Sequence, residues 1–245
     1  MITQSPTSSA TEVSRSSAAS GSGVVLSVAL AFVAGFVDTC GFVALFFLFS
    51  AHVTGNFVVL AASLVQPHAG VVAKLLALPV FILAVAGTRF YVLRVAGTHR
   101  AERHLLFMEL LFLGLFLAAG LAAWPVVDAD APLAILAGML AVVAMGVQNA
   151  ASRTVFAAWS PTTVMTGNVT QVVMDCVDYG SSGDGQLRSA ARARLAKFGP
   201  PVLGFAAGAV AGALLFGMAG FWCLLLPIAI IGGLLLRRPT AMTAV

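Results

Sequence analysis

Long apolar segments alternate with short polar ones along most of the chain. Uninterrupted apolar runs near the roughly 20 residues that cross a bilayer as a helix occupy residues 24–49, 71–93, 105–124, 132–156, 200–216 and 218–236. Two further runs, 54–65 and 166–177, have only 12 residues each, too few to span at about 1.5 Å per residue. The pattern predicts an all-α integral membrane protein with six transmembrane helices and two short re-entrant or broken half-helices.

The two short runs begin with the same tripeptide, Thr-Gly-Asn, at residues 54–56 and 166–168. Each copy follows a longer apolar segment that carries polar side chains, which are Asp38 in the first half and Gln148 with Asn149 in the second. The second copy lies 112 residues after the first, since 166 − 54 = 112. We therefore interpret the chain as an internal duplication.

The positions of the basic residues give the expected orientation. If the loop at residues 94–103 is cytoplasmic, eleven of the 13 Lys and Arg lie inside, only Lys74 lies outside, and Arg89 lies within a span near its inner end. Membrane proteins concentrate Lys and Arg in their cytoplasmic loops. In an eight-crossing alternative both short runs span the membrane. That model would export the basic clusters at residues 188–197 and 237–238. In the opposite orientation it would export Arg94, Arg100, Arg103 and Arg153 instead. We therefore expect six crossings with both termini in the cytoplasm.

Three crossings per half is an odd number, so the second half must enter the membrane from the opposite face. The repeat is therefore expected to be inverted. A weaker correspondence agrees, because Pro79 and Gly87 have the same spacing of eight residues as Pro200 and Gly208. Internal symmetry with short helices at matching positions is typical of transporters and channels whose site lies at the repeat interface.

The chain is expected to divide into five regions. The first 22 residues are rich in Ser, Thr and Ala and contain no apolar run, so they should not bury enough surface to fold. They also lack the features of a signal peptide, and we expect an uncleaved first span. The predicted regions are a disordered N-terminal tail (1–22), a first membrane repeat (23–124), an extracytoplasmic loop (125–131), a second membrane repeat (132–236) and a cytoplasmic C-terminal tail (237–245).

Composition excludes a soluble protein and offers little support for an enzyme. Hydrophobic residues make up 60% of the chain and charged residues 9%, against about 25% charged in soluble domains. The net charge of +4 comes from residues at segment ends, so it does not predict a nucleic-acid surface. The three cysteines are far apart in apolar segments. The sequence has no familiar metal-binding spacing and no phosphate-binding loop. We expect no metal, no cofactor and no enzyme activity.

The Thr-Gly-Asn tripeptides are the first candidates for a site. A helix that starts inside a membrane has backbone N–H groups without partners, each costly in hydrocarbon. In each copy the threonine is placed to cap the helix, the glycine allows close approach, and the asparagine offers donors and acceptors. The residues concerned are Thr54, Gly55, Asn56, Thr166, Gly167 and Asn168. They predict either two positive helix ends that face a pathway for anionic or neutral polar solutes, or structural turns bonded to adjacent spans.

Asp38 is the sharpest candidate within a span. A carboxylate in the middle of an apolar helix costs about 2.5 kcal/mol or more on insertion scales, so it should be paired, wetted or protonated. Its counterpart is the amide Asn149, beside Gln148, and therefore only the first half can titrate at this position. Burial disfavours the charged form of a carboxyl group, which makes Asp38 a candidate for proton coupling. The alternative is a structural hydrogen bond to the Thr-Gly-Asn segment of its own repeat.

Further polar residues lie near these segments. His52 could relay protons or gate an outer mouth, although a histidine at a segment end is more often interfacial. Gln171 and Asp175 fall three and seven residues after Asn168, so they share one face of the second short helix. Arg153 could pair with Asp175 or neutralise an anion, and its more ordinary role is a cytoplasmic anchor.

Glu109 lies within a predicted span near the cytoplasmic end. An ionised carboxylate at such a depth should have a partner. We expect Glu109 to pair with Arg103 or Arg89.

Residues 34–38, 54–56 and 145–150, together with Thr166 and Gly167, resemble the YoaK family, a domain-of-unknown-function family of bacterial multi-pass membrane proteins. The motifs occur in order from about residue 24 onward. The resemblance implies a bacterial inner-membrane protein and supplies no substrate. The predicted architecture is also similar to that of aquaporin-type channels, although the half-helices lack the Asn-Pro-Ala of those channels.

These features predict a transporter or channel for a small polar solute, with proton coupling through Asp38. Its expected partners are the lipid bilayer, the solute and protons, with no nucleic acid, and a homo-oligomer is compatible with the sequence. The alternative is a non-transporting accessory, sensor or assembly protein whose intramembrane polar residues are structural. The predicted solute or ion site comprises Asp38, His52, Thr54, Gly55, Asn56, Gln148, Asn149, Thr166, Gly167, Asn168 and Gln171.

Overall fold

A computed structural model describes residues 7–66, 69–95 and 97–237, and the regular elements of these residues are all helical. The helices are α1 (Thr7–Ala44), α2 (Gly55–Ala62), α3 (Val71–Arg94), α4 (Thr98–Ala123), α5 (Pro132–Ser152), α6 (Met165–Ser181), α7 (Gly185–Ala219) and α8 (Leu225–Leu236). A 3₁₀ turn, Gly220–Leu224, joins α7 to α8. The predicted all-α class is confirmed.

Among the described residues, five segments are long and apolar enough to cross a membrane. They are Gly23–Ala44, Val71–Arg94, His99–Ala123, Pro132–Ser152 and Gly185–Leu236. The last segment has 52 residues and contains α7, the 3₁₀ turn and α8. Gly220 in that turn has a positive φ of 55°, a conformation that glycine adopts at little cost, and the chain changes direction there. These are the long apolar helices of a membrane protein.

Helices α1 and α7 pack closely through small residues. Glycines of α7, spaced four residues apart, face backbone carbonyls of α1. The pairs are Gly204 with Val28, Gly208 with Phe32 and Gly212 with Phe36. A Cβ atom on Gly212 would lie 2.5 Å from the Phe36 carbonyl oxygen, and one on Gly204 would lie 2.8 Å from that of Val28. Glycine is therefore needed for this approach, as is common between membrane helices. Because residue numbers rise together along both helices, α1 and α7 run parallel.

Helices α3 and α5 also run parallel. Gly70 lies beside Ala129, just before α5, and farther along Ala84 lies beside Gly146. A Cβ atom on Gly146 would lie 2.8 Å from the Cβ of Ala84. The numbers again rise together, so the two helices point the same way.

Helices α1 and α5 pack in an antiparallel arrangement. Gln148 of α5 reaches Leu30 of α1, whereas Gly138 lies against Leu48 in the loop after α1. Helices α4 and α8 meet in the same manner. Gly120 of α4 lies against Phe221 at the start of the 3₁₀ turn, and Phe107 lines a cavity with Leu235 at the far end of α8.

Two predicted helix boundaries were wrong by a wide margin. The first span ends at Ala44 and not at residue 49. Phe46 and Phe47 have positive φ angles, and the N–H groups of residues 49–52 bond to the side chains of Asn56 and Asp38 instead of continuing the helix. The basic stretch 188–197, predicted as a loop, belongs to α7. Asp184 caps the start of α7 by accepting a hydrogen bond from the Gln186 N–H, and the following Ala, Leu and Arg residues favour a helix.

Smaller differences occur at other helix ends. Helix α6 has 17 residues against the 12 predicted, and α4 begins at Thr98. Helix α1 begins at Thr7, within the segment predicted to be a disordered tail. The beginning of that tail, residues 1–6, and most of the predicted C-terminal tail, residues 238–245, lie outside the described residues.

Candidate functional site

Asp38 holds the loop that follows its own helix. It is buried at 5% exposure, and its Oδ1 atom accepts hydrogen bonds from the backbone N–H groups of Ser50 and Ala51, both at 2.7 Å. The chain reverses after α1 through Phe46 and Phe47, whose φ angles are 52° and 66°. Residues 50–52 therefore lie beside Asp38, six residues before the end of α1.

His52 completes this cluster. Its Nδ1 atom lies 2.8 Å from Oδ2 of Asp38, and its side chain is 35% exposed. The edge of its ring meets the ring of Phe205 in α7, with the centroids 5.3 Å apart. The hydrogen bond with Asp38 raises the pKa of His52 above its ordinary value; burial opposes this change, and the negative charge of Asp38 adds to it. When His52 is protonated the cluster is an ion pair, and its histidine side is open to the surroundings.

The asparagines of the two tripeptides hold equivalent loops. Asn56 is buried; its Oδ1 atom accepts from the Phe49 N–H at 3.0 Å and its Nδ2 donates to the Phe49 carbonyl at 2.8 Å. Asn168 is also buried, and its Nδ2 donates to the Pro161 carbonyl at 2.7 Å. The spacing is seven residues in both halves. Proline has no backbone N–H, so the second loop cannot form the reciprocal bond.

The polar residues of α5 contact the loop that follows α5. Gln148 Nε2 donates to the Leu30 carbonyl at 2.7 Å and to Thr162 Oγ1 at 2.9 Å. Asn149 Nδ2 donates to Thr163 Oγ1 at 2.6 Å. Thr163 lies 14 residues after Asn149, the same separation as between Asp38 and His52. A threonine therefore stands in the second half where the first half has a histidine.

Sequence reasoning missed three residues of these clusters, namely Ser50, Thr162 and Thr163. Each lies between a predicted long span and the short run that follows it, outside both. A usable signal was present, because Ser50-Ala51-His52 and Pro161-Thr162-Thr163 fall at matching distances downstream of Asp38 and Asn149. Of the polar residues between the predicted helices, only His52 belonged to the predicted site.

The predicted site residues form two clusters and not a single one. The first contains Asp38 and His52, and the second contains Gln148 and Asn149. Gln148 reaches α1 at Leu30, eight residues before Asp38, which corresponds to about 12 Å along a helix. The two clusters therefore lie at different depths along α1.

The expected threonine caps are not formed. Thr54 precedes α2 but makes no side-chain cap hydrogen bond. Thr166 lies inside α6, which begins at Met165. The residue at the N-cap position is Val164, whose side chain makes no capping hydrogen bond. Thr54, Thr166 and Gly167 are exposed, and Gly55 is half-buried. The asparagines fasten the preceding loops, as described above, and the threonines do not cap the helices.

Asp175 and Gln171 belong to a separate ion-pair network between α6 and α7. Asp175 is fully buried; its Oδ1 accepts from Arg194 Nε at 2.7 Å and from Gln171 Nε2 at 3.1 Å. Arg194 also lies 3.4 Å from Asp178. The partner of Asp175 is thus Arg194 and not Arg153, which we had considered. Gln171 is committed to this network, away from both clusters.

Glu109 does not form the expected ion pair. It is buried at 2% exposure, and its Oε1 atom has no hydrogen-bond partner among the described residues. The ion pairs found among the described residues do not include Glu109 with Arg103 or Arg89. Within residues 7–66, 69–95 and 97–237, no group of three or more His, Cys, Asp and Glu side chains could hold a metal ion.

Residues 26–236 match the family described as "Protein of unknown function (DUF1275)". The chain belongs to the DUF1275 family. This match confirms the resemblance to a domain-of-unknown-function family. The matched residues include both clusters and both Thr-Gly-Asn segments. Comparison with curated proteins and with solved structures gives no match. The DUF1275 description carries no activity, so the function has to be inferred from the geometry.

Proposed function

We propose that the protein is a transporter or channel for a small polar solute, built from an inverted repeat of six crossings in a bacterial inner membrane. The observation that carries this proposal is the matched packing of the two halves. In this repeat α1, α2, α3 and α4 correspond to α5, α6, α7 and α8. The contact of α1 with α7 then corresponds to that of α5 with α3, and the contact of α1 with α8 to that of α5 with α4. The contact of α2 with α3 corresponds to that of α6 with α7. Inverted repeats with interrupted helices are typical of membrane transporters.

Individual contacts support the same correspondence. Gly35 of α1 faces the carbonyl of Phe205 in α7, and Gly146 of α5 faces Ala84 of α3. Gly146 follows Gly35 by 111 residues, and Phe205 follows Ala84 by 121. The matched pairs thus connect equivalent helices in opposite order, as a two-fold relation between the halves requires.

The helix directions support inversion. Helix α1 runs parallel to α7 and antiparallel to α5, its own counterpart in the repeat. A second half that starts in the opposite direction must begin at the opposite membrane face. Each half then contains a loop that folds back beside a polar residue of the preceding helix and continues into α2 or α6, which is the expected form of a re-entrant segment. The distribution of Lys and Arg supports cytoplasmic termini.

The first cluster is the part of the proposed pathway best suited to a solute. His52 is the half-exposed member, and its positive form is favoured by Asp38. The backbone N–H bonds of Asp38 favour a structural role for this carboxylate over the proton-coupling role. A site with an exposed imidazolium over a fully engaged carboxylate suits neutral or anionic solutes better than cations.

A second function remains a candidate because of one observation. Asp38, Asn56, Asn149 and Asn168 each form a hydrogen bond that fastens a loop. An accessory or assembly protein would need such bonds simply to keep its broken helices in place.

Solute entry into proteoliposomes distinguishes the two functions. We expect protein-dependent entry of at least one of urea, glycerol and formate, measured by light scattering against protein-free liposomes. His52→Gln is expected to slow that entry because it removes the exposed charge. Asp38→Asn, assayed at several external pH values, tests whether Asp38 itself couples to protons. Entry no faster than in protein-free liposomes for all three solutes would contradict transport and favour the accessory function.

A further inference from the structure

Glu109 is a buried carboxyl group that neither cluster uses. It lies in α4 within the segment His99–Ala123, at 2% exposure and with Oε1 unpartnered. An ionised carboxylate without a partner in such a place costs several kcal/mol. A protonated carboxyl group avoids this cost because it is neutral.

The surroundings of Glu109 offer no compensating charge. Helices α5 and α8 and the 3₁₀ turn pack against α4. Neither α5 nor α8 contains an Asp, Glu, Lys, Arg or His, and the 3₁₀ turn contributes a single titratable group, Cys223. On α4 itself the nearest titratable side chains are Arg103 and His104, more than one helical turn away. No ion pair joins Glu109 to any described residue.

A cavity lies on the face of α4 that carries Glu109, two helical turns before it. The cavity has a volume of about 260 Å³, and its lining includes Arg89 of α3, Ala101 of α4 and Thr154 after α5. Ala101, Leu105 and Glu109 follow one another at intervals of four residues, so they share a helix face. All three are buried. Glu109 therefore lies two turns, about 12 Å, beyond the cavity, with Leu105 between them.

We propose that Glu109 is a proton-binding site that exchanges its proton with water in the cavity between α3, α4 and α5 when Leu105 moves aside. Release converts the carboxylic acid and a water molecule into a carboxylate and a hydronium ion, and rebinding reverses the step. Arg89 is the charged residue that lines the cavity and would attract the carboxylate formed. The inference rests on the proposed transport function only for the use of this proton, which would be coupling to solute movement.

Infrared spectroscopy of the purified full chain tests the site directly. The carbonyl stretch of a protonated carboxylic acid is expected near neutral pH in the wild type and should disappear on raising the pH. It should be missing from Glu109→Gln and retained in Glu102→Gln, the matched control on the same helix. Glu102 is less deeply buried, at 18% side-chain exposure, and has His99 beside it at 3.5 Å.

Chemical labelling provides a second measurement that needs no variant. A hydrophobic carbodiimide, which reacts with protonated carboxyl groups, should modify Glu109 in the wild type at low pH and lose reactivity as the pH rises. An infrared band that persists unchanged in Glu109→Gln, or a Glu109 peptide that stays unmodified at every pH, would overturn the proposal. Neither readout involves a solute, so a protein that shows the band and takes up no solute keeps the proton site and loses the transport function alone.

Discussion

A carboxylate buried in an apolar helix bundle is stable only when its charge is compensated, and Asp38 is compensated by the loop after its own helix. Two backbone N–H groups and the His52 ring surround its oxygens. The equivalent position in the second half, Asn149, is neutral and needs only the hydroxyl of Thr163. The difference between the halves is therefore one ion pair in place of one neutral hydrogen bond.

The pH dependence of stability should reveal this ion pair. The folded protein raises the pKa of His52, so the stabilisation is fully present below the unfolded value of about 6.5 and is lost as pH rises through the folded pKa. Because His52 is 35% exposed, we expect a loss on the order of 1 kcal/mol or less after solvent screening. Thermal unfolding in detergent between about pH 6 and pH 9 measures it.

His52→Gln is the control for this measurement. Its melting temperature should fall less than that of the wild type over the same pH range, because glutamine does not titrate. Equal slopes for the two proteins would mean that the ion pair with Asp38 contributes nothing to stability.

The short helices α2 and α6 are each bonded to the loop that precedes them. Each loop is fastened by an asparagine in the first turns of the following helix, through a carbonyl seven residues earlier. The first loop has two such bonds because Phe49 also donates its N–H. In the second loop Asn168 bonds only to the Pro161 carbonyl, because proline has no backbone N–H to donate.

Alanine substitution of the two asparagines should therefore have unequal effects. Asn56→Ala removes two hydrogen bonds and Asn168→Ala removes one bond to the loop backbone, and each bond contributes about 1 kcal/mol net. We expect Asn56→Ala to be more destabilising by about 1 kcal/mol. Denaturant unfolding in detergent micelles gives both values under identical conditions. Equal destabilisation, or a larger effect at Asn168, would show that the reciprocal bond to Phe49 does not hold the first loop.

The sequence allowed the helical elements to be predicted better than their ends and contacts. Hydropathy identified the long helices, because apolar length is enough to recognise them. It placed the end of α1 too late, since the apolar run continues through Phe49 while the chain has already turned at Phe46. Repeat matching paired Gly87 with Gly208, yet a Cβ on Gly87 would meet no atom within 4 Å, whereas one on Gly208 would meet the Phe32 carbonyl. Sequence symmetry thus gave the spacing and could not give the packing partner.

For the candidate site, too, the sequence allowed individual residues to be recognised but not their partners. Asp38 could be recognised as needing compensation from its charge and burial alone. Its partners are backbone N–H groups, which leave no sequence signature, and they could not be found in advance. Glu109 was expected to pair with Arg103 or Arg89. Arg103 lies six residues away on a different face of α4, and Arg89 of α3 lines the cavity beyond Leu105.

At the scale of the whole molecule, the proposed function depends on the opposite orientation of the halves. The matched helix contacts and the distribution of basic residues both support it. The segments at residues 63–66 and 182–184, which follow α2 and α6, would then lie on opposite sides of the membrane. The loop at residues 124–131 would lie on the same side of the membrane as residues 63–66.

Cysteine labelling in intact cells tests this arrangement most directly. In a background without Cys40, Cys176 and Cys223, single cysteines would replace Leu64, which is 87% exposed, and the exposed Gly183. A membrane-impermeant maleimide added outside the cytoplasmic membrane should label Leu64→Cys and should label Gly183→Cys only after the cells are permeabilised. Labelling of both positions from the same side would contradict the inverted repeat and, with it, the basis of the transport proposal.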